Sequence, residues 1–143
     1  MDSIKGLPTG SKLVLASSGL LFCNLFFTWQ TLEIDFGRAG TAERSLDGWD
    51  FWGLLIGLLT LALISLTVLV HASDLDLPPE VPWDSLALGL GLVVFLLTLV
   101  KNLTDTGSTL PSYVGVGLGA LVVVGAYLSW ARAASRQPSP LGT

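Results

Sequence analysis

Four long apolar runs separated by polar segments constrain this chain more than any other feature of its sequence. They cover residues 13–29, 51–70, 86–100 and 113–131, and none of them contains an Asp, Glu, Lys or Arg. A helix needs about 20 apolar residues to cross about 30 Å of hydrocarbon. The pattern therefore predicts an all-α membrane protein in which four transmembrane helices form an antiparallel bundle.

The predicted bounds of these helices follow from where the apolar runs meet polar residues. We expect helices at about 12–30, 50–72, 84–101 and 112–132, in a single domain covering residues 1–132, and a flexible tail at 133–143. Only 13% of the residues are charged, against about 25% in ordinary soluble domains. The third run is the shortest, and we expect Lys101 at its end to extend to the lipid headgroups. A re-entrant segment is the alternative for this run.

The tryptophans and the basic residues predict how the bundle lies in the membrane. Tryptophan favours the membrane–water interface, where its ring and its N–H group both find partners. All five tryptophans fall at predicted helix ends and are expected to be interface anchors: Trp29, Trp49, Trp52, Trp83 and Trp130. The two chain ends carry four Lys or Arg residues and the connecting loops carry three. The positive-inside rule then predicts a multi-pass protein of the cell membrane with both termini in the cytoplasm.

The first loop, residues 31–49, has a pattern that differs from the helices. Leu32, Ile34 and Phe36 alternate with polar residues, and this period of two indicates a short strand. Residues 37–40 are Gly-Arg-Ala-Gly and suit a turn, after which residues 41–46 would return as a second strand. We therefore expect a small β-hairpin here, and an irregular loop is the alternative.

Side chains able to perform catalysis are scarce. His71 is the only histidine, Cys23 is the only cysteine, and no paired-cysteine, phosphate-loop or nucleophile-elbow motif occurs. We expect His71 to be interfacial or to pair with Asp74. The seven Lys and Arg residues are scattered, which argues against nucleic acid as a partner. The sequence thus predicts a protein that is not an enzyme and needs no metal or other cofactor.

Small and neutral polar residues give the only hints of helix contacts. Gly53 and Gly57 are four residues apart, as are Gly115 and Gly119, and this spacing lets two helix backbones approach closely. Such packing takes place either within one chain or against another chain. Asn24 lies inside the first run, where its amide would bond to a neighbouring helix or contact a ligand, pigment or partner subunit.

Two functional hypotheses follow. The first is a non-enzymatic accessory or structural subunit that contacts itself or a larger membrane complex through its helices. The second is a small oligomeric channel or transporter for an uncharged solute, with a path lined by neutral polar residues: Asn24, Thr60, Ser65, Thr67 and Thr98. A sensor or assembly factor that uses the first loop and the acidic second loop is a third interpretation.

Two short motifs carry a resemblance to a known group of proteins. They are Phe-Phe-Thr-Trp at residues 26–29 and Gly-Trp-Asp-Phe-Trp-Gly at residues 48–53. In these motifs and in its layout the chain resembles small uncharacterised bacterial, actinobacterial-type membrane proteins with four helices. The resemblance implies a four-helix bundle with a small hairpin outside the cytoplasm, and it implies no activity.

Overall fold

The structure is a computed structural model that describes residues 7–47, 49, 51–78, 80–105 and 107–136. Its elements follow in the order α1 (Thr9–Asn24), β1 (Thr28–Asp35), β2 (Thr41–Asp47), α2 (Phe51–His71), α3 (Trp83–Thr104) and α4 (Leu110–Arg136). The described part of the chain is thus mostly helical and contains one small sheet. The prediction of an all-α bundle with a hairpin in the first loop is confirmed at this level.

Three of the helices are long and apolar enough to cross a membrane. They are α2, α3 and α4, with 21, 22 and 27 residues. The first helix has only 16 residues, which corresponds to about 24 Å at about 1.5 Å per residue. It is shorter than the predicted 12–30 because the chain leaves the helix after Asn24 and enters β1 at Thr28. A fourth membrane-spanning helix is therefore not established by length and composition.

The helices extend furthest beyond the predicted bounds at three ends, where a proline or a charged residue lies. Helix α1 begins directly after Pro8, whose fixed φ angle suits a helix start. Helix α3 continues past Lys101 to Thr104, and α4 continues past residue 132 to Arg136. The predicted tail therefore begins later than expected, and residues 137–143 lie outside the described part of the chain.

The helices form an antiparallel ring in which each packs against the next and α4 returns to α1. Two apolar clusters fill its interior. The cluster nearer the hairpin is formed by Leu21, Leu25, Trp29, Ile56 and Val94, and the other by Val14, Leu63, Val122 and Ala126. Burial of these side chains removes apolar surface from contact with the surroundings and holds the four helices together.

The two strands of the hairpin lie antiparallel, as the predicted turn between them requires. Ile34 pairs with Ala42 and Asp35 with Thr41 across an antiparallel ladder. A short 3₁₀ turn, Gly37–Ala39, joins the strands. Gly37 and Gly40 both have positive φ angles, 68° and 97°, which other residues adopt only at a cost. The Gly-Arg-Ala-Gly sequence therefore fixes where the chain reverses.

Candidate functional site

The hairpin is attached to the bundle through Trp29, the second residue of β1. Its side chain is fully buried, and its indole N–H donates to the backbone oxygen of Asn24 at 2.8 Å. That oxygen belongs to the last turn of α1, where carbonyl groups have no partner within the helix. Trp29 was predicted as an interface anchor, and in the structure its ring lies inside the protein and ties the first strand to the first helix.

A buried ion pair lies beside this ring. Lys101 Nζ is 2.9 Å from Asp105 Oδ2, and the two side chains are 0% and 6% exposed. The ammonium group also lies 5.5 Å from the centre of a Trp29 ring, within the range of a cation–π interaction. We expected Lys101 to extend to the lipid headgroups, but its side chain is buried inside the protein. A carboxylate and an aromatic face replace water around its charge.

The loop between α3 and α4 joins the edge of β1. Thr31 N–H donates to the Gly107 oxygen at 3.1 Å, and Thr109 N–H donates to the Trp29 oxygen at 3.0 Å. Gly107 has a φ of +67°, and a Cβ at this position would lie 2.5 Å from the Thr31 oxygen. Glycine is therefore required for the close approach of the two backbones. The third loop, which had no predicted role, holds the hairpin in place.

Two buried side-chain amides connect α1 and α3 to the start of α4. Asn24 Nδ2 donates to the Pro111 oxygen at 2.8 Å. Of the two predicted roles of Asn24, the structure thus shows the hydrogen bond to a neighbouring helix. Asn102 Nδ2 donates to Ser112 Oγ at 2.7 Å. We refer to these groups together as the hairpin anchor: Asn24, Trp29, Lys101, Asn102, Asp105, Gly107, Pro111 and Ser112.

The predicted glycine pairs face the interior of the chain itself. Gly53 and Gly57 are buried in α2, and a Cβ at Gly57 would lie 2.6 Å from the Trp49 ring. A Cβ at Gly115 would lie 2.5 Å from the Trp29 ring, and one at Gly119 would lie 3.4 Å from Phe95. Gly57 and Gly115 thus make room for tryptophan rings of the same chain.

A close approach between the backbones of α1 and α4 was not predicted. A Cβ at Gly10 in α1 would lie 2.6 Å from the Gly125 oxygen in α4, and one at Gly125 would lie 2.9 Å from the Gly10 oxygen. Ser11 and Ser129 are also buried at this crossing, with their hydroxyl oxygens 3.3 Å apart. A sequence pattern could have predicted this contact, because small residues recur at helical spacing along α1: Gly10, Ser11, Ser17 and Ser18.

The remaining tryptophans divide between the two ends of the bundle. Trp49 is half-buried against Phe22 and Phe26, with ring centres 5.5 and 5.2 Å away. Trp52 is exposed next to Phe51. At the opposite end, Trp83 donates to the Pro78 oxygen at 3.0 Å, and Trp130 is exposed beside Tyr127. Trp52 and Trp83 thus lie in the first turns of α2 and α3, whereas Trp49 precedes α2 and Trp130 lies within the second half of α4.

A second charged group lies at the end of the bundle opposite the hairpin. His71 Nε2 at the end of α2 is 3.5 Å from Asp84 Oδ1 at the start of α3, with both side chains partly exposed. His71 therefore pairs with Asp84 and not with Asp74. Arg132 and Arg136 border the same small cavity as this pair. No group of three His, Cys, Asp or Glu side chains suited to a metal ion occurs among the described residues.

The residues that would line a channel differ in their surroundings. Thr60, Thr67 and Thr98 are buried, and each donates to the carbonyl oxygen four residues earlier in its own helix, at 2.6 to 2.8 Å. Ser65 is exposed on the outer side of α2, and Asn24 is bonded to Pro111. Asn24 and the three threonines thus have hydrogen-bond partners within the chain.

Comparisons with known proteins add no relationship to this geometry. No family model matches the chain, and no curated protein or solved structure shows significant similarity to it.

Proposed function

We propose that the chain crosses the bilayer four times. Helix α1 lies along α4 from the contact of Gly10 with Gly125 to the hydrogen bond of Asn24 with Pro111. If α4 crosses the membrane, α1 then lies at the same depth over its whole length. Leu20, Phe26 and Phe27 on or just beyond α1 are at least 60% exposed, which suits contact with lipid. A short span is accommodated by local thinning of the bilayer.

We infer that the protein is a non-enzymatic accessory subunit that presents the hairpin to a membrane-protein partner or to another copy of itself. The observation that carries this proposal is the attachment of the hairpin by the hairpin anchor. A fully buried tryptophan and a desolvated ion pair hold the hairpin in one position relative to the bundle, which suits a surface that a partner recognises. Buried charges are costly to place inside a protein unless their partners are well arranged.

The outer surface of the bundle supports the same proposal. The predicted glycines and most of the predicted neutral polar groups are used inside the chain, and Ser65 alone among the latter is exposed. Recognition therefore falls mainly to the outward apolar faces and to the hairpin. Phe36 beside the hairpin turn is 59% exposed, and Leu61 and Val124 on the helices are 43% and 47% exposed. These positions are open to a partner, whereas Leu63 in the core is not.

Site-specific cross-linking in native membranes tests the proposal. A photoreactive residue is placed at Phe36, Leu61 or Val124, with Leu63 as the matched buried control. We expect a cross-linked product of defined mass from Phe36 and from at least one helix position, and none between chains from Leu63. A protein that purifies as a lone monomer in mild detergent, and that gives no intermolecular product from any exposed position, would contradict the accessory role.

A further inference from the structure

Two adjoining cavities lie at the end of the bundle opposite the hairpin. The larger has a volume of about 470 Å³, and its walls include Glu80, Trp83, Asp84 and Trp130. The smaller has a volume of about 70 Å³ and is bordered by His71, Asp84, Ser129, Arg132 and Arg136. Asp84 and Ala133 line both cavities. We call them the acidic cavity and the basic cavity.

The acidic cavity has the chemistry of a cation site. Glu80 and Asp84 contribute carboxylates, and Trp83 and Trp130 contribute indole rings. Carboxylates accept hydrogen bonds from an ammonium group, and indole faces attract cations through the ring quadrupole. One buried oxygen of Asp84 has no hydrogen-bond partner among the described residues, although His71 lies 3.5 Å from it. The cavity is therefore suited to a small organic cation.

The basic cavity has the chemistry of a phosphate site. Arg132 and Arg136 are one helical turn apart on α4 and both border it. Neither guanidinium makes an ion pair with any carboxylate in the described ranges. Two adjacent guanidinium groups bind phosphate oxygens through charge-assisted hydrogen bonds. The two arginines are thus free to bind an anion in the basic cavity, which they border together with Asp84.

We propose that the two cavities together bind the headgroup of a zwitterionic phospholipid. Its phosphate would lie against Arg132 and Arg136, and its ammonium group against Glu80 and Asp84. The lipid is favoured over a soluble phosphate ester because the acidic cavity is lined by Trp83 at the start of α3 and by Trp130 in the second half of α4, and tryptophan favours the membrane interface. The proposal requires that α3 and α4 lie in the bilayer, and it is independent of the accessory role.

Lipid retention measured by native mass spectrometry tests this inference. The full-length protein is delipidated in detergent and mixed with phosphatidylethanolamine or phosphatidylglycerol carrying the same acyl chains. We expect a preference of about tenfold for phosphatidylethanolamine, since only this lipid carries an ammonium group that can donate charge-assisted hydrogen bonds to the carboxylates. Equal or better retention of phosphatidylglycerol would overturn the proposal.

Two double variants separate the halves of the site. Arg132→Gln with Arg136→Gln should weaken both lipids about tenfold, because both carry the phosphate. Glu80→Gln with Asp84→Asn should remove the preference for phosphatidylethanolamine and leave phosphatidylglycerol bound at least as well. Arg38→Gln, an exposed arginine in the hairpin turn, is the matched control and should change neither.

Two further outcomes would contradict the site. The first is a carboxylate variant that keeps the wild-type preference while its thermal unfolding is unchanged. The second is displacement of the lipid by soluble phosphoethanolamine at an equal concentration, which would overturn its assignment to a membrane lipid. Circular dichroism of every variant confirms that a loss of binding does not reflect a loss of fold.

Discussion

The two ends of the bundle each carry an ion pair, but in different surroundings. At the hairpin end, Lys101 and Asp105 are 2.9 Å apart and almost completely buried. At the opposite end, His71 and Asp84 are 3.5 Å apart with side chains 19% and 23% exposed. The first pair is covered by Trp29 and the hairpin, whereas the second borders two cavities.

This difference separates a structural role from a binding role. A desolvated pair contributes to the fold only while both partners remain, because removal of one leaves a buried charge. A pair that is open to its surroundings contributes little to stability and can exchange its partners for a ligand. We therefore expect substitutions at the hairpin end to reduce stability and substitutions at the open end to change binding.

The largest expected effect is at Lys101. Replacement by methionine leaves the buried Asp105 carboxylate uncompensated, and we expect a loss of about 3–5 kcal/mol in the free energy of unfolding. The midpoint of thermal unfolding in detergent, followed by circular dichroism, measures it. Lys12→Met is the control, because Lys12 is exposed on α1. Equal stability of the two variants would remove the distinction between the ends.

The next effect concerns the space that Gly115 leaves for the Trp29 ring. A Cβ at Gly115 would lie 2.5 Å from that ring, whereas one at Gly117 in the same helix meets nothing within 4 Å. Gly115→Ala should therefore lower stability by about 1–3 kcal/mol through overpacking. Gly117→Ala should raise it slightly, since alanine favours the helix. The same unfolding assay compares them, and a Gly115→Ala protein as stable as Gly117→Ala would refute the packing described.

A smaller effect is expected when Trp29 loses its N–H group. Trp29→Phe removes the hydrogen bond to the Asn24 oxygen, and a loss of about 1–2 kcal/mol should follow. Trp52→Phe is the matched control, because Trp52 is exposed and should tolerate the change. Hydrogen exchange of the hairpin amides gives a second readout and should accelerate only in the Trp29 variant. Unchanged exchange in that variant would show that the ring does not hold the hairpin.

The smallest effect on stability is expected at Asp84. Asp84→Asn breaks a partly exposed pair, and its cost should stay below about 1 kcal/mol. Asp105→Asn provides the comparison at the buried end and should cost several times more in the same unfolding assay. If the Asp84 variant proves as destabilised as the Asp105 variant, the open end is also a structural element.

The sequence predicted those features that depend on local pattern. The apolar runs located α2, α3 and α4, because a long uncharged segment has few alternatives to a buried helix. The alternation around Leu32, Ile34 and Phe36, followed by Gly-Arg-Ala-Gly, predicted the hairpin and its turn. These signals are encoded within stretches of a few residues and need no knowledge of tertiary contacts.

Features that depend on contacts between distant segments were not predictable from these patterns. In the sequence, Trp29 is the last residue of the first apolar run, and nothing in that pattern distinguishes it from a helix residue. Its burial depends on Lys101 and Gly115, which are distant in the sequence and adjacent to its ring in the structure. The pairing of His71 with Asp84 depends on how the second loop folds back. The ion pair of Lys101 with Asp105 was not predicted, because its burial depends on the Trp29 ring that lies over it.

The central claim, that four segments cross the membrane, is tested most directly by the accessibility of two residues on either side of α1. Cys23 is first replaced by serine, because it is exposed and would itself react. Thr9→Cys and Arg38→Cys are then treated separately, in intact cells, with a maleimide that cannot cross membranes. We expect residue 38 to be labelled from outside and residue 9 only after the membrane is permeabilised. Labelling of both residues from the same side would show that α1 does not cross the bilayer.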